Sequence, residues 1–157
     1  MDIDPKYFEE RKTKAEHLYA SRRTIYNPYL NSEVVLNSDG FHHLQFSART
    51  ERSKKEQLLK FRLLPLGLET IRRAGTLQEY RKILQPIGRA SARGGTVMKH
   101  VEYWGFAAIL GRQEEPVKLR TILRRVGDGN VIFWSVMPDT KFKKGKQRLS
   151  AEGMEDN

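Results

Sequence analysis

Histidine is the one side chain in this sequence whose ordinary pKa lies near neutrality, and it occurs at His17, His42, His43 and His100. There is no cysteine, which excludes a thiolate nucleophile, a disulfide and a thiolate zinc site. Asp, Glu and His nowhere fall at metal-ligand spacing, and Gly127-Asp128-Gly129-Asn130 carries too few carboxylates for a calcium loop. Neither a Walker phosphate loop nor a dinucleotide fingerprint occurs, so no metal and no cofactor is expected. What remains is imidazole, guanidinium and hydroxyl. RNA offers those groups a reaction that needs no metal. A base takes the 2′-OH proton, that oxygen attacks the adjacent phosphorus, and cations hold the phosphorane charge.

The charge balance points to the same substrate. The chain has 29 Lys and Arg against 19 Asp and Glu, a net +10, and such a field captures polyanions. The stretch from Asp139 to Asn157 holds five basic and four acidic residues, so nine of the ten surplus charges belong to residues 1–138. The expected partner is nucleic acid, with RNA the class that the metal-free reaction requires. No stretch approaches the roughly 18 apolar residues of a membrane span, and the start lacks an apolar signal core, so a cytoplasmic protein is expected.

At 157 residues the chain suits one domain, read here as 1–138 followed by a polar tail over 139–157. Asp4-Pro5 is a helix start, with Phe8, Ala15, Leu18 and Tyr19 on one stripe up to about Arg23. A short apolar run, Val34-Val35-Leu36, meets turn chemistry at Asn37-Ser38-Asp39-Gly40, and Phe41 to Phe46 then reads as extended. Ser53-Lys54-Lys55-Glu56 is a capping box that opens the main core helix, with Leu58, Phe61, Leu64, Leu68 and Ile71 in step and a bend expected at Pro65. Thr76-Leu77-Gln78-Glu79, a second such box, predicts a short helix stopping before Pro86. Gly88 to Gly95, holding Arg89 and Arg93, reads as a mobile basic loop.

Three β-rich runs follow: Val97 to Leu110, Val117 to Val126, and Val131 to Met137. Helices first and strands second imply an α+β fold, N-terminal helices packed on a C-terminal antiparallel sheet. A type I′ turn at Asp128-Gly129 would pair residues whose numbers sum to 257, placing Lys118, Arg120, Arg124, Phe133 and Ser135 on one face. Val117, Leu119, Leu123, Trp134 and Val136 would form the core face. Cations beside an aromatic ring and a hydroxyl suit a phosphodiester strand with splayed bases. The bland alternative is a solvated strand face.

His42 and His43 would point to opposite sides of an extended segment, so one of them at most serves the site. His100 shares a face with Trp104 and Phe106, where a core histidine is equally plausible, and His17 lies among charges on the first helix.

Asp39-Gly40-Phe41-His42-His43-Leu44, the Ser53 to Ile71 helix, and the run from Leu123 to Pro138 together resemble the phage and mobile-element branch of the barnase, EndoU, colicin and RelE-like nucleases. The resemblance covers roughly Asn37 to Pro138. It implies a helix-then-sheet ribonuclease fold and a toxin-type or mobile-element role, with an acidic antitoxin or immunity protein as partner. It implies His43 as the motif histidine, Arg124 as the arginine and Ser135 as the hydroxyl. Lys118, Arg120, Phe133, Arg89 and Arg93 then become substrate contacts, with His42, His100 and Arg125 as weaker candidates. The Arg125 position and the Gly88 to Gly95 insertion depart from that pattern. The competing function is a non-catalytic RNA- or DNA-binding accessory protein that uses the same basic face.

Overall fold

The computed structural model describes residues 2–47, 50–74, 76–88, 94–112 and 114–139. Helix α1 (Pro5–Ser21) starts where the Asp4 side chain accepts from the Lys6 N–H and Pro5 fills the first helical position. It buries Phe8, Ala15 and Tyr19. Strands β1 (Thr24–Asn27) and β2 (Ser32–Val35) form a small hairpin. Helix α2 (Ser38–Gln45) and the two-residue strands β3 (Phe46–Ser47) and β4 (Thr50–Glu51) come next. Helix α3 (Lys54–Arg73) is capped by Ser53, whose hydroxyl accepts from the Glu56 N–H at 3.1 Å. Its stripe of Phe61, Leu64, Leu68 and Ile71 is buried.

The main sheet runs β1-β2-β8-β7-β6-β5, built from β5 (Thr76–Ile87), β6 (Val97–Arg112), β7 (Glu115–Val126) and β8 (Ile132–Pro138). All pairings are antiparallel except β2 with β8, which meet in parallel at Val35 and Ile132. One sheet face carries the helices: Trp104, Phe106, Leu119, Leu123, Phe133 and Val136 join the helical side chains in the main core. The other face closes a smaller cluster of Val101, Tyr103, Ile122 and Trp134. Helices packed against a strand-rich C-terminal half make this the expected α+β fold.

Four local expectations are corrected. Residues 41–45 are helical, because Asn37, expected in a turn, caps α2 by accepting from the Gly40 N–H at 3.0 Å. Thr76 opens a strand, with inward and outward residues alternating along the whole of β5. The β7–β8 hairpin exists, but its connection spans 127–131 with Gly127, at φ +55°, in the left-handed region, so it is not a two-residue Asp-Gly turn. Asp139, assigned to the tail, is buried, and its N–H donates to the Lys118 carbonyl at 3.0 Å. The rest of the expected tail, and the loop positions Arg89 and Arg93, lie outside the described residues.

Candidate active site at the β8 bulge

The β7–β8 ladder keeps the expected register from Leu119↔Pro138 to Ile122↔Ser135 and then slips, pairing Leu123 with Phe133 and Arg124 with Ile132. Trp134 is therefore the extra residue of a β-bulge, a device that re-aims a side chain and frees backbone groups from the ladder. The slip exchanges two expected faces. Phe133 is fully buried on the helical side, with Tyr19 and Phe133 ring centroids 6.0 Å apart, so it cannot stack an RNA base. Trp134 takes its place on the opposite face.

Helix α2 is seated directly on this bulge. Gly40 makes that possible, since a Cβ there would lie 2.2 Å from the Phe133 carbonyl oxygen and 2.7 Å from the Tyr19 hydroxyl. The Tyr19 O–H donates to the Asn37 carbonyl at 2.6 Å. Burial, with Asp39 nearby, pushes the Tyr19 pKa up, which keeps that proton in place.

One turn beyond Gly40, the His43 ring stacks on Trp134 at 4.1 Å between centroids, 22° from parallel. His43 Nδ1 lies 3.1 Å from the Trp134 carbonyl. A carbonyl can only accept, so Nδ1 carries the proton and, in the neutral ring, Nε2 carries the lone pair. Arg52 lies on the Nε2 side: its Nε donates to the His43 carbonyl at 3.0 Å, and its Nη2 is 3.5 Å from His43 Nε2. Glu56 holds Arg52 through a 2.6 Å contact to Nη1, and Gln57 donates to the Arg52 carbonyl at 2.7 Å.

The Arg124 guanidinium also meets Trp134, with Cζ 4.3 Å from the ring centroid, and its Nε donates to the Tyr103 hydroxyl at 3.2 Å. Ser135 follows Trp134 in the chain. Its hydroxyl accepts from Lys60 Nζ at 3.0 Å, and Lys60 also donates to the Val136 carbonyl at 3.0 Å. Thus His43 and Arg124, 81 residues apart (124 − 43), meet one indole, and Ser135 is the residue that follows it in the chain.

They do not stand in an open cleft. His43 is 3% exposed and Ser135 1%, while Arg124 is half-buried. The Trp134 Nε1–H is also buried and has no hydrogen-bond partner among the described residues.

The other candidates scatter. Arg120, expected to guide an RNA backbone, is 1% exposed and is held by Glu79 at 3.3 Å, with Asp139 at 3.8 Å, so its role is within the fold. Lys118 is half-buried on β7. Arg125 binds Glu102, its Nε donating at 2.8 Å. Burial raises the Glu102 pKa, but hydrogen bonds from Tyr80 and Arg125 outweigh it and hold the carboxyl below its ordinary value. His42 is exposed and stacks on Phe46 at 4.4 Å, away from the Trp134 ring. His100 is exposed on β6 opposite Leu84 and is not a core residue.

Sequence reasoning missed Arg52, Lys60 and Trp134. A signal existed for Lys60, a cation one residue before Phe61 on the buried stripe of α3. No protein-family model, no curated protein and no solved structure matches the chain.

Proposed function

We propose that this protein is a metal-independent endoribonuclease whose reacting groups gather at the β8 bulge. The observation that carries the reading is the shared contact of His43 and Arg124 with Trp134, the residue before Ser135 in the chain. In this scheme His43 Nε2 takes the 2′-OH proton, O2′ bonds to phosphorus and the P–O5′ bond breaks. The 5′-oxygen takes a proton from solvent, leaving a 2′,3′-cyclic phosphate and a 5′-OH. Arg124 holds the charge on the phosphorane oxygens. The Ser135 hydroxyl, whose oxygen already accepts from Lys60, still has its own proton to donate to a phosphate oxygen. Because His43 and Ser135 are closed off, a scissile phosphate must first draw the half-buried Arg124 side chain from the indole.

The test is incubation with total RNA in EDTA followed by analysis of the product ends. Cyclic phosphate ends are expected, and intact RNA or 5′-phosphate ends would overturn the scheme. Arg124→Ala should weaken RNA binding and cleavage together, measured by filter binding and by initial rate. Cleavage at the wild-type rate removes Arg124 from the mechanism.

Burial of His43 and Ser135 favours one second reading: a non-catalytic RNA-binding protein in which the cluster fixes α2 on β8. Both readings share an electrostatic expectation. Nine surplus charges acting through counterion release should make RNA affinity fall on the order of 1,000-fold between about 50 and 200 mM salt, given roughly six phosphate contacts. Affinity that stays level across that range argues against either use of the basic surface. No helix of the described residues is long and apolar enough to cross a membrane. The nuclease reading places the protein in the cytoplasm, where RNA is its substrate and an acidic antitoxin or immunity protein its restraining partner.

A further inference from the structure

Away from the bulge, α1 and α3 enclose an open cavity of about 290 Å³. Three cations, Arg11, Lys14 and Arg62, surround a floor of Ala15, Leu18, Phe61 and Pro65. Four other cations near or on α3 are paired with carboxylates: Arg52 with Glu56, Lys54 with Glu51, Arg72 and Arg73 with Glu69. Arg11, Lys14 and Arg62 have no such partner among the described residues. Arg11 instead lies over the Tyr7 ring, its Cζ 6.0 Å from the centroid. Three like charges held together without counter-charge repel one another, and an anion seated among them relieves that repulsion.

The floor sets the rest of the ligand. Phe61 is buried and closes the base of the cavity, while Pro65 is exposed and presents its ring beside half-buried Leu18; Pro65 has no N–H to give the Phe61 carbonyl one turn earlier, which leaves a backbone acceptor without its helical donor. A matching molecule combines a phosphate with a flat, mainly apolar body that carries hydrogen-bond donors. The volume lies near the lower end of ligand pockets, roughly 300 Å³, enough for one such unit.

We propose that the α1–α3 cavity is a second ligand site, which binds one nucleotide through its phosphate, either free or at the phosphorylated end of an RNA strand. Arg11, Lys14 and Arg62 hold the phosphate, and the base lies against the Pro65 ring and Leu18. This site does not depend on cleavage at the β8 bulge.

Calorimetric titration of the intact protein tests it, with AMP, adenosine, inorganic phosphate, dodecanoate and a 5′-phosphorylated 2′-O-methyl trinucleotide that cannot be cleaved through its 2′-oxygens. AMP should bind more tightly than adenosine or phosphate alone. The double variant Arg11→Gln/Arg62→Gln should lose about tenfold or more in AMP affinity, as expected for the loss of charge-assisted hydrogen bonds, with an unchanged melting temperature. His43→Ala should leave AMP affinity as in the wild type, which separates this site from the reaction centre. If the trinucleotide binds at least as tightly as AMP, the site serves strand ends, and if AMP binds more tightly, it serves free nucleotides. The proposal is overturned by absence of AMP binding at millimolar concentration, by full AMP affinity in the double variant, or by tighter binding of dodecanoate.

Discussion

Replacing His43 by alanine should reduce RNA cleavage by on the order of 100-fold or more, the usual worth of a positioned general base. The geometry makes a sharper comparison available. His43 contributes a donor to the Trp134 carbonyl and a ring stacked on the indole, so alanine removes support from α2 as well as a base. Asparagine retains an N–H near the Nδ1 position and offers no basic nitrogen. His43→Asn should therefore melt closer to the wild type than His43→Ala does, while both cleave equally poorly. Initial rates and thermal melts of the three proteins decide the matter. Two folded variants that cleave within about threefold of wild type would leave His43 with a structural role and favour the non-catalytic reading.

The largest effect on stability is expected at Gly40. An alanine methyl there would lie 2.2 Å from the Phe133 carbonyl oxygen and 3.2 Å from its carbon, both backbone atoms of the central β8 strand. Neither can turn aside, so α2 has to lift from the sheet. Overpacking of this kind costs typically 1–3 kcal/mol, and with a main-chain clash we expect roughly 3 kcal/mol or more. That is a large share of a total stability of about 5–15 kcal/mol. Gly67→Ala is the informative control. Its methyl would meet side-chain rather than main-chain atoms, Val136 Cγ2 at 2.8 Å and Cβ at 3.0 Å, so a smaller displacement relieves it. Urea unfolding should show a much lower midpoint for Gly40→Ala than for Gly67→Ala, together with loss of the near-ultraviolet signal of the Trp134–His43 stack. Stability of Gly40→Ala within about 1 kcal/mol of wild type would show that α2 is not clamped on β8.

The elements legible in the sequence were those with a local cause. Asp4-Pro5 and Ser53 to Glu56 carry their own capping chemistry, and both helices begin there. The β7 and β8 strands are β-rich enough to declare themselves. The misreadings occur where a tertiary contact overrides a local pattern. Thr76 to Glu79 has the composition of a capping box, yet pairing with β6 draws it into a strand. Its inward positions include Glu79, Arg81 and Gln85, so no hydrophobic alternation marks it. Helix α2 is short and contains a glycine, and it is held by its seat on β8 rather than by propensity.

The candidate site shows the same division. Hairpin pairing correctly set Arg120 opposite Met137 and Ile122 opposite Ser135. The bulge that follows has no sequence signature here, and it exchanged Phe133 for Trp134 as the ring beside Arg124. Arg52 was missed because a buried cation off any apolar stripe is recognisable only from the partners that hold it.

The parallel contact of Val35 with Ile132 also governs how the chain can be assembled during synthesis. It joins positions 97 residues apart (132 − 35), so the β1–β2 hairpin has no neighbour in the sheet until β8 has been made. Helix α3 faces the same delay. Its Leu64, Leu68 and Ile71 share a core with strands that end at Pro138, 65 residues beyond Arg73 (138 − 73). At roughly 5–20 residues per second, a ribosome leaves that apolar stripe uncovered for several seconds. During that interval the nascent N-terminal half offers a greasy, positively charged surface beside ribosomal RNA, a natural client for a holding chaperone.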